Sequence, residues 1–443
     1  MSSDLKIVAL SAFLVMPFAN GNEPRPVIDR SVAAKYFAEA RALSDADSAR
    51  LWGKAVYGPM LFVDPATRDL VANQADAEGK LIKDGDVYTG RWSADRAIAN
   101  TATTWAGVKW TIVMWPLPAD KVRRARLMAH ELFHRIQDDL GLPAGNPANA
   151  HLDARDGRVW MQLEWRALAA ALRSEGEPQR QAIADALAFR DYRRSLVPGA
   201  AAEENSLEMN EGLCEYTGVR LSGASDSEQR EHSARRCESE ARTNPSLTRS
   251  FAYASGPPYG LLLDRFNPNW RVGLTPASDL GALLRAAAGV AAPTVLKATA
   301  QQRAANYDGS KLMADEDERE SRQQKRLAEH RQRFVDGPVL TLPLGSEINF
   351  SFDPTNVETF DATSSVYPTL TVTDVWGVLE VSKGALMIRE NGAPRVVVPA
   401  PPQAEATPSH ASDGWRLELK PGWTLVPGPR KGDVLAAKQD GTP

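Results

Sequence analysis

The sequence predicts an α+β protein that is mainly helical, with a small sheet near its start and a small all-β domain at its end. Helical patterns recur between about residues 120 and 335, and in the clearest of them apolar residues fall at intervals of three and four. Short aromatic and β-branched runs precede this region, and similar runs between prolines and glycines follow Gly337. The length of 443 residues fits two or three domains of about 100–200 residues each.

Composition excludes several functional classes. The chain is 43% apolar and 24% charged, which is ordinary globular usage and argues against a disordered, collagenous or coiled-coil protein. Lys and Arg total 52 against 56 Asp and Glu, so no global positive field favours a nucleic-acid partner. Beyond the N-terminus, no run approaches the roughly 18 apolar residues of a membrane span. The oligomeric state stays open.

Local signals mark the first elements. An alanine-rich stretch runs from Asp29, which can cap a helix, to about Leu51, and Gly53 can end it. Extended segments follow at 60–63, 86–92 and 105–115. A small sheet is therefore predicted to precede the next helix.

That next helix has the clearest boundaries. Asp120 can cap its start, Gly141 suits a left-handed cap at its end, and Pro143 prevents its continuation. Its apolar face comprises Val122, Ala125, Ala129, Leu132, Phe133, Ile136 and Leu140. Further helices are predicted over 158–174, 177–195, 200–218 and 259–266.

The chain is predicted to divide into a helical domain at 22–310, a charged helix at 311–337 and a small all-β domain at 338–443. Acid-before-base pairs such as Glu318 and Arg322 indicate that the charged helix is a solvated connection. Segment 399–413 has no periodicity and is predicted to be a flexible loop. The β-rich runs of the last domain are 339–342, 347–352, 369–381, 385–390, 394–398, 415–419 and 423–426.

The string His130-Glu131-Leu132-Phe133-His134 carries the strongest chemical signal. On a helix, residues i and i+4 share one face, so the two imidazoles can bind one metal ion. Glu131 is rotated about 100° from His130, beside the open position of such an ion. Catalytic zinc usually takes three protein ligands, so a third is required. The alternative is a pair of surface histidines on an amphipathic helix.

A stripe of four acids offers a place for the third ligand. At spacings of four, three and four, they lie on one side of the predicted helix 200–218, and they are Glu204, Glu208, Glu211 and Glu215. Like charges stacked in this way repel, so the stripe is more tolerable if a cation and arginines face it. A fully solvated acidic stripe is the alternative.

These two motifs together resemble a known superfamily. His130-Glu131-x-x-His134, followed by Asn210-Glu211-Gly212-x-x-Glu215, is similar to the gluzincin zinc metallopeptidases, which include thermolysin-like and alanyl-aminopeptidase-like enzymes. The resemblance covers about residues 100–266 and implies a zincin-like metallopeptidase domain that binds Zn²⁺. The 76 residues between His134 and Glu211 are far more than in the best-known members, which implies a helical insertion at about 144–199.

The resemblance also implies roles for individual residues. Glu211 would be the third zinc ligand, with Glu208 as its rival, and Glu215 would hold a ligand imidazole. Tyr253, in Tyr253-Ala254-Ser255-Gly256, would be the catalytic hydrogen-bond donor to the developing oxyanion, or else a core residue. The other candidate donors are Tyr259 and His232.

The reaction that the resemblance implies is hydrolysis of a peptide bond in a peptide or protein substrate. Zinc on His130, His134 and Glu211 would activate water, while Glu131 would take its proton and pass it to the leaving amine. The run 105–115 at a sheet edge could hold an extended substrate by strand addition. Two other functions stay open: a non-catalytic zinc-containing binding or inhibitory module, and a ligand-binding protein acting through its C-terminal β domain.

The remaining polar residues carry weaker signals. Glu164 is predicted to form a structural ion pair with an arginine. Asp138 lies near the histidine face and is expected to be solvated. Three further histidines are predicted to be ordinary surface residues, and they are His151, His330 and His410.

Residues 1–21 are predicted to be a removable secretory signal. An apolar run at 7–16 follows Lys6, and Ala19-Asn20-Gly21 has small residues where a signal peptidase cuts. The protein would then be periplasmic or secreted, and Cys214 and Cys237 could form a disulfide. The alternative is a buried N-terminal element of a cytosolic protein with two free thiols.

We expect the mature protein to begin near Asn22, because the small residues before it suit the peptidase. Intact-mass measurement of the natively expressed protein checks this. A cytosolic protein that retains residues 1–21 would contradict it.

Overall fold

The computed structural model describes residues 28–93, 96–345, 348–352, 357–361, 363–389, 393–402 and 407–438. The predicted signal at 1–21 lies outside these residues. The chain separates into two compact units, Met1–Glu316 and Asp317–Pro443. It is about 47% helical with three sheets, which confirms the α+β prediction. Within the described ranges, no helix has the length and apolar character needed to cross a membrane.

The first unit contains ten complete α-helices among its described residues, and an eleventh begins in it. They are α1 (Arg30–Asp47), α2 (Lys121–Ile136), α3 (Arg155–Arg173), α4 (Gly176–Ser195), α5 (Ala200–Leu207), α6 (Leu213–Arg220), α7 (Asp226–Thr243), α8 (Ser250–Phe266), α9 (Leu280–Ala288), α10 (Leu296–Ala304) and α11 (Gly309–Arg331). A π-helical turn, Glu208–Gly212, joins α5 to α6 without a break. The helix predicted over 200–218 is therefore correct in extent, but this widened turn interrupts it.

The sheet of the first unit has six strands in the order β3-β4-β2-β1-β6-β5. They are β1 (Met60–Val63), β2 (Asp69–Ala72), β3 (Ile82–Asp84), β4 (Val87–Arg91), β5 (Thr101–Trp105) and β6 (Val108–Met114). Strands β1 and β6 are parallel, and the other neighbours are antiparallel. The run 105–115 is thus not one edge strand, because a turn at Ala106-Gly107 splits it. The edge is β5, and β6 is internal.

Helix α2 packs against β5, β6 and α6 and places the histidine string. The Asp120 side chain accepts a hydrogen bond from the Arg123 N–H at 2.7 Å, as predicted for the cap. Gly141 adopts φ 73° after a short 3-10 turn, also as predicted. The apolar face of α2 joins the main core through Met128, Ala129, Leu132, Phe133 and Ile136.

Helix α8 begins nine residues earlier than the predicted 259–266, although Pro257 and Pro258 lie inside it. Proline has no N–H, so Pro258 leaves the carbonyl four residues back, on Ala254, without its helical donor. The Cys237 thiol donates to that carbonyl at 3.4 Å. A tertiary contact thus supplies a hydrogen bond that the local sequence cannot, inside a helix that includes Tyr253.

The second unit carries two β-sheets, with strand orders β17-β18-β7-β14-β13-β10-β9 and β15-β16-β12-β11-β8. Their strands are β7 (Val339–Pro343), β8 (Asn349–Phe352), β9 (Glu358–Thr359), β10 (Ser364–Tyr367), β11 (Leu370–Asp374), β12 (Gly377–Val381), β13 (Ala385–Ile388), β14 (Arg395–Pro399), β15 (Ser409–Ser412), β16 (Trp415–Leu419), β17 (Trp423–Pro427) and β18 (Val434–Lys438). The predicted loop 399–413 is partly wrong, because β15 pairs with β16 there.

Two details correct the predicted boundary helix. The prediction that it is solvated fails at its start, where Leu312 and Glu316 are buried and Arg158 Nε donates to Glu316 Oε2 at 3.0 Å. At its end, Phe334 is buried among Val339 and other apolar residues of the second unit. A domain boundary at 337/338 would therefore remove a core side chain from the β unit.

We expect a fragment covering 317–443 to fold by itself and to be more stable than one covering 338–443. Losing a buried phenylalanine such as Phe334 costs about 3–5 kcal/mol. Urea denaturation of both fragments, followed by tryptophan fluorescence, measures the difference. Equal midpoints would contradict a core role for Phe334, and an unfolded 317–443 fragment would contradict independent folding.

Candidate metal centre

Helix α2 places His130 and His134 side by side, with their ring centroids 5.1 Å apart. Both side chains are largely buried, at 6% and 12% exposure. This is the one-face arrangement that the i, i+4 spacing predicts. The two rings lie opposite the π turn that joins α5 to α6.

Glu211 of that turn contacts both imidazoles with a single oxygen. Its Oε2 lies 3.5 Å from Nε2 of His130 and 3.5 Å from Nε2 of His134. Burial would raise the pKa of Glu211, but hydrogen bonds from the two histidines outweigh it and hold the pKa well below its usual value. The carboxylate is therefore ionised and faces both Nε2 atoms.

The other ring nitrogens have partners of their own. His130 Nδ1 lies 2.9 Å from Glu215 Oε2, and His134 Nδ1 lies 2.7 Å from Gln137 Oε1. Burial would raise the pKa of Glu215, but the bond to His130 lowers it to about 2. Burial would lower the pKa of His130, but Glu211 and Glu215 raise it to about 10 in the metal-free protein. A metal ion at His130 would thus displace a proton.

The distances from Glu211 to the two rings fit zinc. A tetrahedral zinc ion with bonds of about 2.0–2.2 Å to nitrogen and oxygen separates its ligand atoms by about 3.3–3.6 Å. The observed 3.5 Å separations between Glu211 and each ring fall within that range. Because Glu215 and Gln137 occupy the Nδ1 positions, both Nε2 atoms can present lone pairs to the ion.

Among the described residues, Cys214 forms a group with the same two histidines in which the donor atoms all lie within 4.8 Å of one another. Its Sγ lies 3.3 Å from Nδ1 of His134, on the ring nitrogen that Gln137 already holds. The thiol also donates to the Asn210 carbonyl at 2.9 Å. Burial raises the pKa of Cys214 well above its ordinary value, which disfavours the thiolate that a metal needs. Glu211, on the Nε2 side of both rings, is therefore the better third ligand.

Glu131 is buried beside the histidines, at 3% exposure. Its Oε2 has no hydrogen-bond partner among the described residues. Burial raises the pKa of this carboxyl group. A buried carboxylate oxygen without a donor is costly, so it is suited to take up a proton from a bound molecule.

Tyr253 and Arg249 hold Glu211 from α8 and the residue before it. The Tyr253 hydroxyl donates to Glu211 Oε2 at 2.5 Å, and Arg249 Nη2 donates to Oε1 at 2.5 Å. The Tyr253 ring also stacks on His130, with centroids 5.6 Å apart. In this conformation Tyr253 orients the carboxylate of Glu211. Its predicted role as oxyanion donor stays a prediction.

A close helix crossing brings Tyr253 to Glu211. A Cβ on Gly256 of α8 would lie 2.2 Å from the Gly212 carbonyl oxygen. Only glycine allows the two backbones to approach so closely. Because Gly256 has no side chain, α8 can lie close enough to the π turn for the Tyr253 hydroxyl to reach Glu211.

The first two acids of the stripe face arginines. Glu208 accepts from Arg190 Nη1 at 2.8 Å, and Glu204 accepts from Arg193 Nε at 2.9 Å. Glu164 joins this cluster through Arg193, so its predicted role as a structural ion pair is confirmed. Glu208 is committed to the arginine cluster, which removes the reason to treat it as the rival zinc ligand.

Other predicted candidates lie elsewhere in the described structure. The Tyr259 hydroxyl donates to Glu164 at 2.7 Å, and Asp138 pairs with Lys109 at 2.8 Å. His232 contacts Arg126, and burial together with that arginine lowers its pKa to about 4. None of these three contacts the imidazoles of His130 and His134 by a described hydrogen bond.

The prediction for His151 and His410 is wrong, and the structure decides between the two alternatives for the cysteines. The His151 side chain is 6% exposed and lies 2.9 Å from Glu204, and His410 is buried, so neither is an ordinary surface residue. Cys214 and Cys237 are free buried thiols, because each donates to a backbone carbonyl instead of pairing.

The sequence reasoning missed Gln137 and Arg249. Gln137 follows His134 by three residues. Side chains three apart on a helix are neighbours, so this spacing could have predicted the contact between them. Arg249 precedes Tyr253 by four residues, which places both on one face near Glu211. For Arg249, no signal was available without the tertiary structure.

Comparison with known protein families, with curated proteins and with solved structures gives no match.

Replacing Asp279 with asparagine tests the arginine cluster. Asp279 lies 2.7 Å from Arg194 and 3.3 Å from Arg190. Burial would raise its pKa, but the two arginines lower it from 3.8 to about 2. This stabilisation is therefore present above pH 3.8 and lost as pH falls through about 2. We expect Asp279→Asn to lower the free energy of unfolding by about 2 kcal/mol at pH 7, measured by urea denaturation.

Asp226→Asn is the control, because the Asp226 side chain is 80% exposed beside Arg220. Its effect should stay within about 0.5 kcal/mol. If the loss at Asp279 were as large near pH 2 as at pH 7, the assigned ion pairs would be wrong.

Proposed function

We propose that this chain is a zinc-dependent peptidase with a gluzincin-like site in a zincin-like first unit. The observation that carries the proposal is the convergence of three donor atoms, His130 Nε2, His134 Nε2 and Glu211 Oε2, with 3.5 Å from each ring to the carboxylate. The unpartnered Oε2 of Glu131 lies on the same helix beside them. His130, His134 and Glu211 would hold the ion, which supplies a Lewis acid that polarises the substrate carbonyl and activates water.

The protein's own groups would perform the proton transfers. Glu131 takes a proton from the attacking water, since its free oxygen needs a donor and burial raises its pKa. The same carboxyl group then gives that proton to the leaving amine nitrogen. Glu215 keeps the His130 ring oriented, and Arg249 together with Tyr253 keeps Glu211 in place.

The sheet offers a way to bind an extended peptide. Strand β5 is the outer strand beside α2, so its free edge can pair with a substrate backbone. The proposed substrate class is therefore an extended peptide or protein segment. Export to the periplasm or outside the cell, with zinc as cofactor, belongs to the same proposal.

A second function has one observation in its favour. Glu131 and His130 are 3% and 5% exposed, so a large substrate needs an opening of the site. A metal-containing binding module without turnover would tolerate this burial. Peptide hydrolysis by the purified protein distinguishes the two functions.

We expect Glu131→Gln to retain zinc and lose hydrolysis, because glutamine keeps the shape but removes the base. The rate should fall at least about 10²–10⁴-fold, which is typical of one general acid–base group. Glu211→Ala should lose both zinc and activity, since two imidazoles alone hold the ion weakly against a chelator. Bound zinc is measured by elemental analysis, and hydrolysis with a peptide library.

Two controls sharpen this test. Asp138→Asn makes the same carboxylate-to-amide change just beyond α2 at an exposed side chain, and it should leave zinc and rate within about twofold. Cys214→Ala should keep zinc; its loss would make Cys214 the third ligand instead of Glu211. Hydrolysis by Glu131→Gln at the wild-type rate would overturn the peptidase mechanism.

A further inference from the structure

Gln137 is a buried amide, 2% exposed, one residue beyond the end of α2. Both ends of the amide are used. Its Oε1 lies 2.7 Å from Nδ1 of His134. Its Nε2 donates to the carbonyl of Asn210 at 3.0 Å and to that of Met209 at 3.4 Å. One side chain therefore touches a ligand ring and the backbone of the turn that carries Glu211.

The accepting end fixes the state of the ring. Because the amide nitrogen of Gln137 faces backbone carbonyls, its oxygen must face the imidazole, and an amide oxygen only accepts. His134 Nδ1 must then carry the proton. A metal ion would then take the place of a proton on Nε2, on the side of the ring that faces Glu211.

The donating end fixes the position of the turn. Asn210 immediately precedes Glu211, so a hydrogen bond to the Asn210 carbonyl restrains the peptide from which the ligand side chain projects. On the other ring, Glu215 of α6 holds His130 Nδ1 at 2.9 Å. Both imidazoles are thus tied to the segment 210–215, His130 through a carboxylate and His134 through a neutral amide.

We propose that Gln137 is a positioning residue that sets the Nδ1–H tautomer of His134 and couples that ring to the turn carrying Glu211. This inference rests on the metal centre of the proposed function. If the end of α2 shifted relative to the π turn, the Gln137 side chain would lose its hydrogen bond either to His134 or to the Asn210 carbonyl. The Gln137 amide therefore keeps the His134 ring at a fixed position relative to the carboxylate of Glu211.

The test uses the full chain with ¹⁵N-labelled histidine, first without metal. Imidazole ¹⁵N shifts distinguish the two tautomers, and His134→Gln identifies the ring by its missing signals. We expect a proton on His134 Nδ1 in the wild type and a partial loss of that proton in Gln137→Met, whose ring keeps only Glu211 as an acceptor, on the Nε2 side. The zinc dissociation constant of Gln137→Met should rise about 10–100-fold, as is usual when the partner of a ligand histidine is lost.

Gln179→Met is the matched control. Gln179 is equally buried at 2% and donates to the Ala171 carbonyl at 2.8 Å, but no described hydrogen bond joins it to either imidazole. It loses a comparable buried hydrogen bond, so a purely structural effect would appear in both variants. We expect it to change neither the His134 tautomer nor the zinc dissociation constant by more than about twofold.

Gln137→Glu keeps an acceptor for His134 and carries the test if Gln137→Met does not fold. We expect it to retain the Nδ1–H tautomer. The proposal is overturned if Gln137→Met keeps both the wild-type tautomer and zinc affinity, or if Gln137→Glu shows the Nε2–H tautomer. The tautomer is read without zinc or substrate, so a protein that fails to cleave peptides would refute the proposed function and leave this result standing.

Discussion

The structure of the first unit depends on burying four carboxylates along one continuous helical segment. Glu204, Glu208, Glu211 and Glu215 are all at most 9% exposed. A buried carboxylate without a partner is strongly destabilising, and breaking a buried pair costs about 3–5 kcal/mol. The neighbouring helices must therefore supply cationic or donor groups at each position. Helix α4 supplies arginines to the first two acids, and α2 supplies imidazoles to the last two.

The π turn contains the second and third of these acids, Glu208 and Glu211. Glu208, at the first position of the turn, pairs with an arginine of α4, as Glu204 does before it. Glu211, inside the turn, and Glu215, after it, face the imidazoles of α2. The arginine cluster anchors the segment on one side of the turn. On the other side, the carboxylate of Glu211 remains available to the two ring nitrogens. Structural ion pairs and the candidate metal centre thus share one helix and support each other.

Close backbone packing completes the centre. Gly212 and Gly256 let α8 approach the π turn, which brings the Tyr253 hydroxyl to Glu211. The Cys237 thiol satisfies a carbonyl that proline leaves without a donor inside α8. Cys214 likewise donates to the Asn210 carbonyl, so both thiols have structural roles in the packing around the site.

The sequence by itself determined the α+β class, the caps of α2 and the face shared by His130 and His134, because these follow from local periodicity and spacing. It also marked Glu211, since the acid spacing is local as well. Only the tertiary structure separated Glu211 from Glu208, placed Tyr253 on a helix and brought Gln137 to His134. Residues far apart in the chain decide those features. A buried polar group takes whichever partner the packing of helices provides, and local sequence does not encode which helices pack.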